Sequence, residues 1–539
     1  MKVDFNRYNY FFLLLLLFVI AEIFVNPIGN FPLNDDWSYG KALHYSITKS
    51  YTIGNFGAMS LFTHVMWGAL FVKLFGFSFT VLRFSTLISV VIGVFFLDRL
   101  IFQVTKNKIA AFVACLVLLF NPMYFNLANT YMTDVNFNTL LILATYYAFR
   151  FFETKRIIYV LVFFIFSVLL VLLRQFGIII PVCFLVANFF IQKRKILWIT
   201  LALSVSILVY YSLHVYESYL KDILPQGSAY KFSGGVHVTD KQFWHLFGYY
   251  LNQRYKILMV HVFVYISPVA AYFLISILKS FKVYFSIVIS LICTFFVYWF
   301  FGDTRFPFGN IFENCWLGPE TFHESLSPDA QHLNFGWFGN GLTVVKFFFS
   351  SITVITVVLY FISLFKSGKV KEIKDFNPEI VFLICFLFAY AFMIFITESY
   401  FDRYFIPLIT VSIILLSYLN KNYQGNYQPI IVLVLFFFYV AVFGTRDYLT
   451  LNRTRWEAYT FLQETKNASA ENVNAGFEVN CWNDLKETWW SDYVDLERFQ
   501  YLIQFHNEPN FELLKEYEFQ RYLPYKKDKL SIFIRKANQ

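Results

Sequence analysis

Three acidic residues could carry chemistry in this 539-residue chain. Asp35 and Asp36 lie in the segment NDDWSY, just after the first apolar run, and Asp134 lies in TYMTDVN, just before a later one. An ionised carboxylate beside hydrocarbon costs several kcal/mol if it has no partner, so each acid needs a compensating group. Acids that are remote in sequence but lie on one membrane face could act as a general base with a supporting carboxylate. They could also bind a divalent cation.

The same acids also have a structural interpretation. Asp35 and Asp36 follow the Pro- and Gly-containing segment 27–32, which ends the first helix, and an Asp ahead of a helix can cap free backbone N–H groups. Asp134 precedes an apolar run and can cap a helix in the same way. The residues alone therefore do not decide whether these acids cap helices or form a functional site. Because Asp35 and Asp36 repel each other, we expect a raised pKa for one of them or a shared cation.

Two arginines are the other candidates for chemistry. Arg174 interrupts two apolar runs in VLLRQFG, and Arg403 begins a late run in SYFDRYFIPL. Both lie on the outer face of the predicted topology, against the tendency of basic residues to face the cytoplasm. A guanidinium there suits a phosphate, because its planar fork donates to two oxygens at once. The alternatives are a snorkelling side chain or a salt bridge to Asp402 or Glu398.

Long apolar runs must position these residues. Apolar residues make up 58% of the chain and charged residues only 15%, a composition that excludes a soluble protein. The runs approach the roughly 20 residues that a helix needs to cross a bilayer. We predict thirteen spans, near 9–25, 81–101, 109–125, 137–152, 157–173, 175–191, 196–214, 257–278, 283–301, 341–365, 379–397, 405–419 and 428–445.

Charge predicts the orientation of these spans. The formal net charge of +9 is spread over short loops, which argues against a nucleic-acid partner. If Lys2 and Arg7 face the cytoplasm, alternation puts every short basic loop inside, as the positive-inside rule requires. We therefore predict an uncleaved first span, a cytoplasmic N-terminus and a multi-pass protein of a bacterial plasma (inner) membrane. Cys315 and Cys481 both fall outside, and a bridge between them is left open.

Composition also predicts two domains. Residues 1–445 form the membrane domain, and the charged, Trp-rich residues 446–539 form a small extracytoplasmic α/β domain. In this tail RWEAYTFLQE predicts a helix, whereas AGFEVN and LSIFIRK predict strands. The stretch 63–77 is predicted to be an amphipathic helix in the membrane interface. The outer loops of the membrane domain are predicted at 26–80, 215–256 and 303–340.

Three segments, in this order and on one membrane side, resemble the GT-C glycosyltransferases. They are DDWSY in the first outer loop, PMYFNLANTYMTD between the third and fourth spans, and DRYFIPL late in the membrane domain. Within this group the motifs are similar to those of the protein O-mannosyltransferases and of the aminoarabinose transferase of lipid A. The resemblance covers the membrane domain and is strongest over 27–150 and 399–410.

The resemblance implies a GT-C-like helical membrane protein that takes a sugar from a polyprenyl-phosphate carrier. It implies transfer, usually with inversion, to a lipid, glycan or protein acceptor on the outer face. Asp35 matches the first Asp of the family pattern D-E-x-x-Y and is the implied general base; Asp36 replaces the usual Glu. Asp134 corresponds to the second acidic residue of the family. We expect Arg403 first and Arg174 second to hold the leaving phosphate, on the side of the sugar opposite the base.

Further substrate contacts are expected from Tyr39, His64 and Tyr404. Relatives often carry HPPL or KPPL in the first outer loop, where this chain reads AMSLFTHVMW, so a phosphate contact is not carried over to His64. The resemblance requires no metal, although Asp35, Asp36 and Asp134 would permit a divalent cation.

The second hypothesis is a flippase or transporter of a lipid-linked sugar. Transporters place ionisable residues inside spans and often show paired halves. Here the ionisable residues lie at span ends and no halves repeat, which favours the transferase.

Overall fold

The structure of the chain, a computed structural model, describes most membrane helices and most of the tail. The described residues are 5–48, 51, 53–54, 57–191, 194–224, 228, 230, 241–278, 311, 355–361, 377–397, 400–421, 430–483, 498–505, 507–523 and 525–536. Four predicted features lie wholly or mostly outside them: the spans 283–301 and 341–365, the outer loop 303–340, and Cys315 of the open bridge.

Apolar runs form the helices of the membrane domain. In chain order these are α1 (Phe5–Val25), α2 (Asp36–Thr48), α3 (Phe62–Phe75), α4 (Phe79–Thr105), α5 (Lys108–Leu119), α6 (Pro122–Ala128), α7 (Thr133–Thr154), α8 (Ile157–Val171), α9 (Ile179–Asn188), α10 (Lys195–Ile223), α11 (Lys241–Leu278), α12 (Pro378–Phe395), α13 (Ile406–Leu419) and α14 (Ile431–Lys466). Among the described residues, six helices are long and apolar enough to cross a membrane, or seven if α5 and α6 form one bent span. The chain is therefore a multi-pass membrane protein, and the number of thirteen spans stays a prediction.

The third predicted span, 109–125, is bent rather than straight. Its two parts, α5 and α6, meet at an angle of 68°. Asn121 accepts hydrogen bonds from the backbone N–H groups of Met123 and Tyr124, at 3.0 and 3.2 Å, and so caps α6, which begins with Pro122. Proline cannot continue the hydrogen-bond ladder of the preceding helix. The bend redirects the chain into the segment that carries Asp134.

The last membrane helix continues into the tail. α14 passes through the predicted domain boundary at 445/446 and ends before Asn467, which has a φ of 49°. Beyond 445 the helix still buries one face, with Leu451, Ala458 and Leu462 at helical spacing. The hydropathy boundary therefore does not coincide with the end of a secondary-structure element.

The rest of the described tail combines a short helix with a small sheet. Its elements are β1 (Val473–Asn474), α15 (Phe477–Asn483), β2 (Tyr501–Gln504), β3 (Phe511–Tyr522) and β4 (Tyr525–Arg535). The strand order is β1-β2-β4-β3; β1 and β2 pair in parallel, and the other neighbours pair antiparallel. LSIFIRK, predicted as a strand, lies almost entirely in β4.

The predicted strand AGFEVN is wrong, because most of it forms the start of α15. Gly476 has a φ of 90° and turns the chain. Asn480 closes this turn: its side-chain oxygen accepts from the N–H of Ala475 at 3.0 Å, and its amide donates to Asn474 at 2.7 Å. Such side-chain closure of a turn competes with strand pairing, and a six-residue pattern does not reveal it.

The tail packs on the helix that follows the first acidic pair. The ring centroids of Trp37 on α2 and Phe477 on α15 are 5.8 Å apart. The ring of Trp482 lies 4.8 Å from that of Phe79, at the start of α4. Helix α2 is therefore held between the membrane domain and the tail.

Candidate active site

The loop between α1 and α2 is shaped by a buried arginine. Arg83 on α4 is fully buried and donates to the carbonyl groups of Pro27 at 2.9 Å, Gly29 at 2.8 Å and Phe31. Buried carbonyl groups need such donors, because water cannot reach them. The sequence signal was a basic residue within the predicted span 81–101, and sequence reasoning missed its role.

Asp36 joins this loop to the segment ahead of α7. Its side chain is fully buried; one oxygen accepts from the N–H of Leu33 at 3.2 Å and the other from the N–H of Tyr131 at 2.8 Å. Burial raises the pKa of Asp36 to about 7, although Arg83 and the two backbone N–H groups favour the ionised form. The pKa expected to be raised in the acidic pair is therefore that of Asp36, and its carboxylate is engaged by the protein itself.

Asp35 occupies the neighbouring position with a different environment. Its side chain is 29% exposed, and its Oδ2 lies 2.9 Å from Nη1 of Arg403, whose side chain is 5% exposed. Arg403 belongs to a 3₁₀ helix, Asp402–Phe405, ahead of α13, and Nη1 also lies 3.6 Å from Sδ of Met132. The carboxylate of Asp402 accepts hydrogen bonds from the backbone N–H groups of Ile311, at 3.0 Å, and Arg403, at 2.7 Å. Among the described residues the ion pair of Arg403 is thus formed with Asp35 and not with Asp402; Glu398, the other predicted partner, lies outside them.

Asp134 and Arg174 form a second, deeper pair. Asp134 lies in the first turn of α7, and its Oδ1 is 2.8 Å from Nη2 of Arg174, with side chains 1% and 8% exposed. The N–H groups on Nε and Nη2 of Arg174 are directed at Oγ1 of Thr133, at 2.8 and 2.5 Å. Neither oxygen of Asp134 accepts a hydrogen bond from the described residues. This carboxylate is held by the charge of Arg174.

Two tyrosines connect the pairs. The guanidinium groups of Arg174 and Arg403 lie 5.7 and 5.8 Å from the ring centroid of Tyr404. Tyr39 on α2 is buried, and burial raises its pKa above the ordinary value; the charge of Asp35 adds to this effect, and both arginines oppose it. The structure therefore brings together six candidates from the sequence: Asp35, Asp134, Arg174, Arg403, Tyr39 and Tyr404.

His64 lies behind this cluster. It is fully buried on α3 and its ring stacks on that of Tyr131 with centroids 4.1 Å apart. Its Nε2 faces the Tyr131 carbonyl at 3.1 Å and its Nδ1 faces the side-chain amide of Asn136 at 2.9 Å. This pattern fits a neutral imidazole that donates from Nε2 and accepts at Nδ1. With both nitrogens engaged by the protein, His64 supports the segment before α7, and its contact with a substrate stays a prediction.

The charges of the three acids are compensated by protein groups. Asp36 has two backbone N–H donors, and Asp35 and Asp134 each have a guanidinium. In the part of the chain that the structure describes, no three His, Cys, Asp or Glu side chains come together as a metal site. The two carboxylates and two guanidiniums around Tyr404 form a cluster with balanced charge.

One known protein family matches part of this chain in sequence. The profile of one family, described as dolichyl-phosphate-mannose-protein mannosyltransferase, matches residues 64–215, a range that includes Asp134 and Arg174. No curated protein matches significantly. Two crystal structures of ArnT from Cupriavidus metallidurans, one bound to undecaprenyl phosphate and one in the apo state, align at 11% identity with a TM-score of 0.42. They cover 97% of this chain and 98% and 97% of their own, a likeness too distant to establish a shared fold.

The family match rests on the sequence alone and is independent of the geometry around Tyr404. The resemblance to the GT-C glycosyltransferases that the motifs indicated is thus confirmed by the match over residues 64–215.

Proposed function

We propose that this chain is an integral-membrane glycosyltransferase that moves a sugar from a polyprenyl-phosphate carrier to an acceptor on the outer face, with inversion. The observation that carries the proposal is the convergence of two carboxylates and two guanidiniums from four separate segments. The match to a mannosyltransferase family supports the same reaction class. In this proposal the N-terminus is cytoplasmic, and the cluster lies at the outer edge of a bacterial plasma membrane.

The reaction needs a base and an anion site. The acceptor hydroxyl attacks the anomeric carbon and gives its proton to Asp35 as the new C–O bond forms. The bond from the anomeric carbon to the phosphate oxygen breaks, and its electron pair stays on the leaving phosphate. Arg403 stabilises the negative charge that develops there. Asp35 is suited to the base role because part of its carboxylate is accessible, whereas Asp36 is fully buried.

Asp134 takes a supporting role in this proposal. Its buried oxygens have no hydrogen-bond donor among the described residues, so they can accept from a hydroxyl of the acceptor or of the sugar. Arg174 compensates the charge of this carboxylate at low exposure, and Thr133 fixes the plane of the guanidinium. Asp36 acts as a positioning residue, because its oxygens bind backbone N–H groups of the two acid-bearing segments.

The test is sugar transfer by purified full-length protein in lipid, from a panel of radiolabelled polyprenyl-phosphate sugars. We expect transfer by the wild type and a loss of about 10²- to 10⁴-fold in Asp35→Asn, the range for removal of a general base. Asp222→Asn is the matched control, because Asp222 is an exposed carboxylate near the end of α10. A parallel assay in EDTA shows whether a divalent cation takes part.

The opposite result would favour the flippase. If the folded wild type binds polyprenyl-phosphate sugars but neither transfers nor hydrolyses any of them across the panel, the transferase proposal fails.

A further inference from the structure

The two arginines of the cluster differ in how firmly they are held. Arg174 directs two N–H groups at Thr133 and pairs with an acid that is 1% exposed. Among the described residues Arg403 has one ion-pair partner, Asp35, which is 29% exposed, and its buried Nε has no hydrogen-bond acceptor. An anion arriving from outside can therefore exchange with Asp35 more easily than with Asp134.

We infer that Asp35 and the donor phosphate compete for the same guanidinium, that of Arg403, so that the base is released only when the donor is bound. The inference rests on the proposed function and adds that Asp35 is the partner of the phosphate-binding arginine when no donor is bound. In the donor-free state the Asp35–Arg403 contact of 2.9 Å keeps the two groups on the same side of the site. A sugar cannot lie between them until this pair opens.

Phosphate is a fitting competitor. Its oxygens accept two N–H groups of a guanidinium at once, whereas Asp35 receives a single contact from Nη1. Exchange replaces one charge-assisted contact with another, so Arg403 is not left as an unpaired buried charge at any stage. The neighbouring ring of Tyr404, 5.8 Å from the guanidinium, and that of Phe401, at 4.9 Å, can keep Arg403 in place during the exchange.

The exchange orders the chemistry. In the donor-free state Oδ2 of Asp35 is directed at Nη1 of Arg403, at 2.9 Å, and is not available to an incoming hydroxyl. Donor binding frees Asp35 to take the proton of the acceptor hydroxyl. The electron pair of the broken bond then stays on the phosphate that Arg403 already holds. Acceptor activation is thereby linked to the presence of a sugar to transfer.

The experiment measures the affinity of the full-length protein in nanodiscs for undecaprenyl phosphate, which carries no sugar, at low ionic strength. The variants are Asp35→Asn, Arg403→Gln, the double variant and Asp134→Asn. We expect Asp35→Asn to bind about three- to ten-fold more tightly than the wild type, because the phosphate no longer displaces a carboxylate. We expect Arg403→Gln to bind at least about ten-fold more weakly, and Asp35→Asn to add no tightening in that background.

The double variant separates competition from simple repulsion. If Asp35→Asn tightens binding equally with and without Arg403, the carboxylate acts only through its charge and the inference is overturned. It is also overturned if Asp134→Asn is the variant that tightens binding, since Arg174 would then be the phosphate ligand. Unchanged melting temperatures and monodisperse elution show that each variant is folded.

The experiment also distinguishes this inference from the proposed function. If wild type and Asp35→Asn bind the lipid with equal affinity and transfer still occurs, only the competition is wrong. Dioleoyl phosphatidic acid, measured in the same way, is the control lipid. If none of the folded proteins binds undecaprenyl phosphate in preference to it, the proposed donor class fails and the inference fails with it.

Discussion

At the scale of single residues, two adjacent acids have opposite surroundings. Asp35 is partly exposed and faces a guanidinium, whereas Asp36 is fully buried and accepts two backbone N–H groups. The helix explains the difference, because α2 begins at Asp36 and successive residues at a helix start point in different directions. Two neighbouring carboxylates need not form one site.

Asp36 predicts a specific pH dependence of stability. Burial raises its pKa from 3.8 to about 7, so between these values the folded protein binds a proton that the unfolded chain releases. The contribution is fully present below about pH 4 and is lost as the pH rises through about 7. A tenfold change in the acid dissociation constant corresponds to about 1.4 kcal/mol of free energy. We therefore expect the melting temperature of the wild type to fall more steeply between about pH 4 and pH 7 than that of Asp36→Asn.

Parallel pH profiles of the two proteins would contradict this prediction. Near pH 4 Asp36→Asn should be less stable than the wild type by about 1–3 kcal/mol, because an amide has one acceptor oxygen for two buried N–H groups, and this difference should shrink as the pH rises towards 7.

Thr133 gives a second residue-scale prediction. Its Oγ1 receives two N–H groups from Arg174, so Thr133→Val leaves buried donors without an acceptor. We expect a loss of about 1–3 kcal/mol in stability and a lower transfer rate. Thr133→Ser retains the hydroxyl, so its stability and transfer rate should stay near those of the wild type. Melting curves and initial rates measured on the same preparations test this; a Val variant with wild-type rates would show that Arg174 does not depend on Thr133.

At the scale of elements, the site is built from the N-terminal ends of helices rather than from helix interiors. Asp35 directly precedes α2, Asp134 lies in the first turn of α7, and Arg403 lies in the short helix ahead of α13. Helix N-termini carry partial positive charge, which favours a carboxylate by about 0.3–1 kcal/mol. Tyr131 links these ends, because its N–H binds Asp36 and its hydroxyl donates to the carbonyl of His64 at 3.0 Å.

Gly68 tests this link. A Cβ at this position of α3 would lie 2.0 Å from the hydroxyl of Tyr131 and 2.6 Å from Cδ1 of Leu43. Gly68→Ala must therefore displace Tyr131, and we expect at least about a ten-fold loss of transfer together with about 1–3 kcal/mol of stability. Gly248→Ala is the control, since a Cβ at this position meets nothing within 4 Å. Gly248 lies in a helix, where Ala is favoured over Gly. If both variants transfer at the wild-type rate, Tyr131 does not position the acids.

At the scale of the whole molecule, the sequence indicated which charged residues have buried ion-pair partners better than it indicated which residues those partners are. The charged candidates could be found because they interrupt or border apolar runs, where an unpaired charge is costly. Their partners could not, because Asp35 and Arg403 are 368 residues apart and hydropathy carries no information on contacts between distant spans. The bend at Asn121–Pro122 has a local signal in the Pro and its capping Asn. The continuation of α14 past 445 has none in hydropathy, because the helix becomes more polar while one face stays buried.

A buried ion pair attaches the tail to the last membrane helix. Glu478 on α15 is fully buried, and its Oε2 lies 2.8 Å from Nη1 of Arg455 on α14. The hydroxyl of Tyr448 donates to the other oxygen at 3.3 Å. Through α15 this ion pair fixes Phe477, whose ring packs on α2, and Trp482, whose ring packs on the start of α4, so the tail reaches the helix that starts at the acidic pair.

Glu478→Ala should therefore reduce transfer although it lies outside the acid–arginine cluster. Removing one partner of a buried ion pair costs about 3–5 kcal/mol, because Arg455 loses the carboxylate that compensates its charge. We expect a lower melting temperature and a lower transfer rate per folded molecule, since α2 loses the surface on which it packs. Lys529→Ala is the matched control: Lys529 pairs with Glu516 at 2.8 Å, but both are exposed, and such pairs contribute about 0–1 kcal/mol. If Glu478→Ala is less stable but its folded fraction transfers at the wild-type rate, the tail stabilises the protein without positioning the site.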